Sequence, residues 1–281
     1  MTISVIIPVF NEAKVIQKCI VSLSQQTKPH EIIVVDDGSS DRSGEQVTQI
    51  KEQLGIKQLK LVTQTHHGPA AARNAGAKLA AGDILVFIDA DMKFAPDFLE
   101  VLVNPISSGQ SKGTFTKDER VANWENIWAR CWNYNEGITS PRRIPEQYPD
   151  SAPVFRAILT KEFMRVGGFT EGIGWTDDWS LSRKLGYQST ATAAICYHAN
   201  PASLGEVYTQ ARWIGKNEFL AGTATRLLIN LLRYSVPVTH AAAFYGAIKY
   251  RTWQFLLFKT VYNFGVLVSL LLSFIEHDKN K

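Results

Sequence analysis

The sequence has few cysteines, no glycine-rich phosphate loop behind its first apolar segment, and no leader-like start. Only Cys19, Cys131 and Cys196 occur in 281 residues. Their number is odd, their spacing is wide and no Cys-x-x-Cys is present. This excludes a disulfide framework or a cysteine zinc cluster and fits a reducing compartment. No G-x-G-x-x-G follows the first apolar run, which argues against a dinucleotide-dependent oxidoreductase. The opening MTISVIIPVF lacks the basic start and long apolar stretch of a signal peptide. It reads as a first strand, and the expectation is a catalytic part that stays in the cytoplasm.

What is present is an ordinary globular balance, with 45% apolar and 20% charged residues. Disordered, collagen-like and low-complexity chains are excluded. The length suits one large domain, or one domain and an appendage, around a sizeable core. The net charge of +4 is unevenly placed: residues 1–205 carry 21 Lys/Arg against 22 Asp/Glu, and residues 206–275 carry 7 against 2. Nothing in that basic third resembles a nucleic-acid reader. A basic and apolar mixture points to a membrane surface.

The β-branched run 3–9 reads as a strand buried on both faces of a sheet, 31–37 as a second buried strand, and 58–63 and 84–89 as a third and a fourth strand. Helical spacing separates them over 12–26, 44–54 and 69–81. The alternation predicts an α/β domain with a mainly parallel sheet. Polar residues gather just past the strands: Asn11 and Glu12, then Asp36 to Asp41, then Asp89 and Asp91. Ligands of open α/β sheets bind beyond the carboxyl ends of the strands, so these residues are expected to share one crevice. Trp124, Trp128 and Trp132 recur every fourth residue, as on one helix face. Residues 140–150 read as a loop, 191–197 as a late strand, and the chain from about 206 as helical.

Three clusters carry chemistry. Asp89 and Asp91, at i and i+2 past an apolar strand, can share a hard cation such as Mg²⁺ or Mn²⁺ with a substrate diphosphate; two acids in a solvated turn are the plain alternative. In VVDDGSSD (34–41), a carboxylate can meet a nucleobase or a ribose hydroxyl, while Ser40 or Asp41 can cap the next helix. In GPAAARNAG (68–76), small residues let a helix start close to other backbone, and Arg73 can pair with a phosphate or with one of the acids.

In order along the chain stand VIIPVFNE (5–12), VVDDGSSD, GPAAARNAG, FIDADM (87–92), GGFTE (167–171) and TDDWSLSRKL (176–185). Together they resemble the family 2 glycosyltransferases over roughly residues 3 to 216. The resemblance implies a GT-A fold of the nucleotide-diphospho-sugar transferase type, covering 1–216. A helical, membrane-associated segment over 217–281 would follow it. It also implies inverting transfer of a sugar from a nucleotide-sugar, most often uridine-based, to a hydroxyl of a glycan or lipid-linked acceptor. Pro8, Val9, Asn11, Glu12, Gly68 and Arg73 would line the nucleotide-sugar pocket. Asp37 would meet the base, Asp89 the ribose or sugar, and Asp91, with His198, a Mg²⁺ or Mn²⁺ ion. Asp178 would be the general base, with Asp177 and Trp175 on the acceptor side. The family more often has Glu-Asp at the 177–178 pair.

YTQARWIGK (208–216) is similar to the Gln-x-x-Arg-Trp element of processive relatives. Only one residue separates Gln210 from Arg212, which argues against processive synthesis. Residues 219–234 suggest an amphipathic helix with Arg226 and Arg233. Residues 253–275 are mostly apolar, and their cleaner core at 260–275, 16 residues, is borderline against the roughly 20 (typically 17–25) a spanning helix needs; interfacial helices with one membrane insertion, or a buried helical appendage, are the readings. The expected location is the cytoplasmic face of the membrane. A nucleotidyltransferase making nucleotide sugars, or a non-catalytic nucleotide-sugar-binding protein, is the alternative. The first usually opens with a Gly-rich basic loop, which PVFNE is not.

Overall fold

The computed structural model describes the backbone of residues 1–172, 177–220 and 224–279. It describes the side chains of these residues except 177, 178, 216–220, 224–227 and 273–279. The expectations for Trp175, Asp177 and Asp178 therefore fall outside the described side chains. Only the backbone of the last two is given, at the start of a helix.

Strands and helices alternate through the first third: β1 (Ile3–Val9), α1 (Ile16–Ser24), β2 (Glu31–Asp36), α2 (Ser43–Leu54), β3 (Leu59–Thr63), α3 (Pro69–Leu79) and β4 (Ile84–Phe87). These strands pair in parallel in the order β3-β2-β1-β4. β1, β2 and β4 are almost wholly buried, as a sheet covered by helices on its faces requires, while β3 at the edge exposes Lys60 and Thr63. Then follow β5 (Met92–Phe94), α4 (Phe98–Ser107), β6 (Gly113–Val121), α5 (Ile127–Asn135), β7 (Ser151–Ala152), β8 (Ala157–Leu159) and α6 (Thr160–Arg165). The chain continues through α7 (Asp177–Leu185), β9 (Ser189–His198), α8 (Leu204–Leu220), α9 (Ala224–Arg233), α10 (Val236–Lys249) and α11 (Gln254–Lys279). Beyond β4 the sheet continues β8-β6-β9-β5 with antiparallel pairs.

The chain divides into two compact units: Met1–Arg120 with Ile144–His198, and Val121–Arg143 with Ala199–Lys281. In the first, α3 lies unusually close to the sheet. A Cβ at Gly76 would sit 2.6 Å from Ile6 Cγ2 and 3.2 Å from Val35 Cγ2. The run of Ala and Gly in this helix therefore serves close approach. The helix expected at 12–26 is shorter, because Asn11 takes a left-handed φ of 59° and residues 12–15 form a turn before it.

In the second unit, α5 starts at Ile127 behind an Asn126 cap whose side chain accepts from the backbone of Trp128 and Ala129. Trp124 precedes that helix, so the three tryptophans do not share a helical face. Trp132 packs edge-on to Phe258 and Tyr262 of α11. Helices α8 and α11 meet along small residues. A Cβ at Gly215 would lie 2.9 Å from Ser269 Cβ, and one at Gly265 would lie 2.9 Å from Ala211 Cβ. Ala211 and Gly215 on one helix, and Gly265 and Ser269 on the other, are spaced i, i+4. Among the described residues, the stretch Gln254–Leu272 of α11 is long and apolar enough to cross a bilayer. The three cysteines are buried and unbridged.

Candidate active site

The first unit gathers its polar side chains past the strand ends. Two loops are tied together there first. Asn11 Oδ1 accepts from the backbone of Ser40 at 2.8 Å and of Asp41 at 3.2 Å, and Asn11 N donates to Ser39 Oγ at 3.0 Å. Asp41 accepts from Ser43 N at 2.9 Å and Ala13 N at 3.1 Å, so it holds the first turn of α2 and the β1–α1 loop at once. Pro8 is half-buried and Val9 buried beneath these loops, while Asn11 is exposed.

Asp37, only 2% exposed, organises the next loop. Its carboxylate accepts from Gln64 Nε2 at 2.7 Å, His67 N at 3.0 Å and Gly68 N at 2.8 Å, and lies 2.9 Å from His66 Nδ1. Gly68 takes φ 91°, a backbone geometry side chains rarely adopt, and so starts α3 directly behind that carboxylate. The exposed rings of Phe10 and His66 stack with centroids 4.0 Å apart on the same loops.

At the end of β4, Asp89 meets two arginines. Arg73 Nη2 of α3 lies 2.9 Å from Oδ1, and Arg156 Nη1 lies 3.0 Å from Oδ2. Arg156 is fixed because its carbonyl accepts from Phe87 N and its own N–H donates to Thr114 O, one residue ahead of β8. Burial opposes ionisation of Asp89. Arg156, Arg73 and His198 outweigh it and hold the carboxyl well below the usual carboxylate range. Arg73 thus makes the ion pair with an acid that was one of its two expectations.

Asp91 is brought to His198 by register, since Met92 of β5 pairs with His198 at the end of β9. His198 Nε2 lies 2.9 Å from Asp91 Oδ2, and its Nδ1 lies 3.0 Å from Glu119 Oε1 on β6. Glu119 Oε2 is in turn 3.7 Å from Arg156 Nη2. Glu12 faces this cluster. Burial, then the charges of Asp91, Asp41 and Asp89, push its carboxyl up to about 7, against a smaller opposing pull from His198.

The result is one connected set of three carboxylates, one imidazole and two guanidinium groups, with Glu12 beside it. Sequence reasoning does not find Glu119 and Arg156. The single signal for Arg156 is a lone arginine inside the apolar run VFRAIL, and Glu119 sits in the polar stretch TKDER without periodicity.

Among the described residues, no group of three or more His, Cys, Asp or Glu is placed to hold a metal unaided. The donor chemistry nevertheless fits a Mg²⁺- or Mn²⁺-type ion. Such ions keep several waters and take one or two carboxylates plus substrate phosphates. Asp91 and His198 converge as one carboxylate and one imidazole, leaving the remaining positions to a diphosphate and water.

Comparison with known proteins agrees with this architecture. The model of "Glycosyl transferase family 2" matches residues 4–163. The chain is 32% identical over 126 residues to an undecaprenyl-phosphate 4-deoxy-4-formamido-L-arabinose transferase of Serratia proteamaculans. That match covers 43% of this chain and 39% of the relative. It is 40% identical over 108 residues to the glycosyltransferase AglE of Haloferax volcanii, covering 37% and 35%. The matches thus span about two fifths of the length of such curated relatives. Among solved structures, the mannosyltransferase PcManGT from Pyrobaculum calidifontis, in complex with GDP-Man and Mn²⁺, superposes with TM-score 0.61 at 22% identity. It covers 96% of this chain and 86% of that one. S. aureus TarS 1–349 in complex with UDP-GlcNAc gives TM-score 0.57 at 18% identity, covering 97% and 92%. The solved structures share the fold, of GT-A type, and the family match takes in more than half of the residues: the chain is a member of glycosyl transferase family 2.

Proposed function

We propose that this glycosyltransferase moves a sugar from a nucleoside diphosphate sugar to a hydroxyl of a glycan or lipid-linked acceptor, with inversion, at the cytoplasmic face of a membrane. The observation that carries the proposal is the Asp91–His198 pair, 2.9 Å apart at the sheet's end and flanked by the Asp89–Arg73–Arg156 cluster. Catalysis is assigned to residues 1–216 and membrane contact to the segment from 217 onward. The apolar stretch of α11 supports that assignment, as does a relative named for its undecaprenyl-phosphate substrate.

Each residue then has a task. Asp37, with the loop it holds through Gly68, shapes the base end, beside Pro8, Val9 and Asn11. Asp89 stays ionised between its arginines and offers its exposed edge to a ribose or sugar hydroxyl. Arg73 keeps Asp89 in place rather than reaching the phosphates. Asp91 and His198 would hold Mg²⁺ or Mn²⁺, which when bound neutralises charge on a leaving diphosphate. Asp178 takes the proton from the acceptor hydroxyl as that oxygen attacks the anomeric carbon. Attack from the side opposite the leaving group in one displacement inverts that carbon. Asp177 and Trp175 belong to the acceptor side. The case for Asp178, Asp177 and Trp175 is the family motif alone.

The test is binding of a panel of nucleotide sugars by calorimetry, with and without Mn²⁺, followed by analysis of the released nucleotide. Metal-dependent binding of one donor and release of nucleoside diphosphate are expected. Release of pyrophosphate would overturn the reading in favour of nucleotidyl transfer.

A further inference from the structure

We propose that α9 and α10 form a docking face for an anionic lipid surface, with the two helices lying along it. The inference deepens the membrane part of the reading above and rests on it. Its basis is an inverted distribution of side chains.

A surface helix in water turns its apolar stripe inward. Helix α9 does the reverse: Leu228, Ile229 and Leu232 are 60%, 58% and 63% exposed, while Asn230 is 5% exposed. Helix α10 follows the same rule. Phe244, Tyr245 and Ile248 are 63–67% exposed, whereas Thr239 is buried and receives a hydrogen bond from Asn263 Nδ2 of α11 at 2.9 Å. Single exposed apolar residues are ordinary on soluble proteins. Runs of large ones at helical spacing on two consecutive helices, with amide and hydroxyl groups turned inward, mark a face built for an apolar partner.

Charge selects the partner. Between Glu218 and Glu276 the sequence has five Lys/Arg and no Asp or Glu, and Arg233, Lys249 and Arg251 are exposed. A second copy would bring this basic face against itself, a costly like-charge pairing. Anionic headgroups meet the cations while the outward Leu, Ile and Phe enter the acyl boundary. Trp253, 65% exposed two residues after Arg251, has the amphipathic ring suited to headgroup depth.

The test uses the full chain and flotation with phosphatidylcholine vesicles, with and without phosphatidylglycerol. Binding should favour the anionic vesicles and weaken with salt. Arg233→Gln and Arg251→Gln should each weaken it about fivefold, from about 1 kcal/mol per cation near an anionic surface. Leu232→Glu and Phe244→Glu, at exposed positions, should keep the circular dichroism of the parent and lose anionic-vesicle preference. As a local readout, Leu232→Cys carrying an environment-sensitive fluorophore should blue-shift only with anionic vesicles. Equal binding to neutral vesicles, or an unshifted fluorophore, overturns the proposal. So does a soluble dimer that Leu232→Glu splits. Donor binding measured on the same samples separates the two readings: donor bound without vesicle preference refutes the docking face alone, and vesicle preference without any donor bound refutes the nucleotide-sugar donor reading alone.

Discussion

Replacing Glu12 by Gln should stabilise the folded protein at alkaline pH and leave it unchanged in acid. Glu12 is pushed from its ordinary value of 4.5 up to about 7 by burial and by Asp91, Asp41 and Asp89. A raised carboxyl pKa means that the folded state holds the proton more tightly than the unfolded chain. The stability it confers is complete below about pH 4.5 and is lost as pH rises through about 7. Every tenfold gain in proton affinity on folding corresponds to about 1.4 kcal/mol. Screening of this half-exposed side chain brings the net penalty at pH 8.5 to roughly 1–2 kcal/mol. Glutamine keeps the shape and removes the charge. The variant should therefore melt about 2–8 °C higher at pH 8.5 in metal-free buffer, taking roughly 2–4 °C per kcal/mol for a chain of this size. The gain should shrink below pH 7 and vanish near pH 4. Thermal melts across that range, with and without Mn²⁺, read it directly, and Mn²⁺ should narrow the difference by drawing the carboxyl pKa down. An equal gain at every pH, or a loss at pH 8.5, would refute the reasoning.

Asp91→Ala should lower Mn²⁺ affinity, measured by calorimetry with the nucleotide present, and cut transfer by roughly a hundredfold or more, as loss of a charge-stabilising group does. Asp178→Asn should reduce kcat by about 10²–10⁴-fold with donor affinity intact; normal turnover would remove it as the base. Asp89→Asn leaves Arg73 and Arg156 facing a neutral amide. It should cost roughly 2–3 kcal/mol by urea denaturation, below the 3–5 of a fully buried pair because its side chain keeps 30% exposure. Gly76→Ala gains about 1 kcal/mol of helix propensity but drives a methyl against Ile6 and Val35. With overpacking at about 1–3 kcal/mol, a small net loss of stability is expected.

The parallel half of the sheet was legible because its strands are mostly apolar runs of four to seven residues, bounded by turn chemistry. In the antiparallel half only the late strand at 191–197, now β9, was legible. Strands β5, β7 and β8 have only two or three residues, too few to show any period. The site divides in the same way. Glu12, Asp89 and Asp91 follow legible strands, and the structure brings them into one cluster with His198. Glu119 and Arg156 join through the β4–β8–β6 pairing, which only tertiary structure fixes. Spacing suggested a tryptophan face, yet Trp124 lies ahead of the helix because Asn126 caps it at Ile127. Local capping outweighed periodicity there.

The seam between α8 and α11 is built from Ala211, Gly215, Gly265 and Ser269, whose backbones come into near contact. Beside this seam Val207 of α8 packs with Phe258, Tyr262, Val266 and Leu270 of α11, so burial of apolar surface also holds the pair. The close backbones add shape and dispersion at short range, a cohesion that does not depend on water. A bulkier residue at Gly215 or Gly265 would therefore part the two helices and loosen both contributions at once.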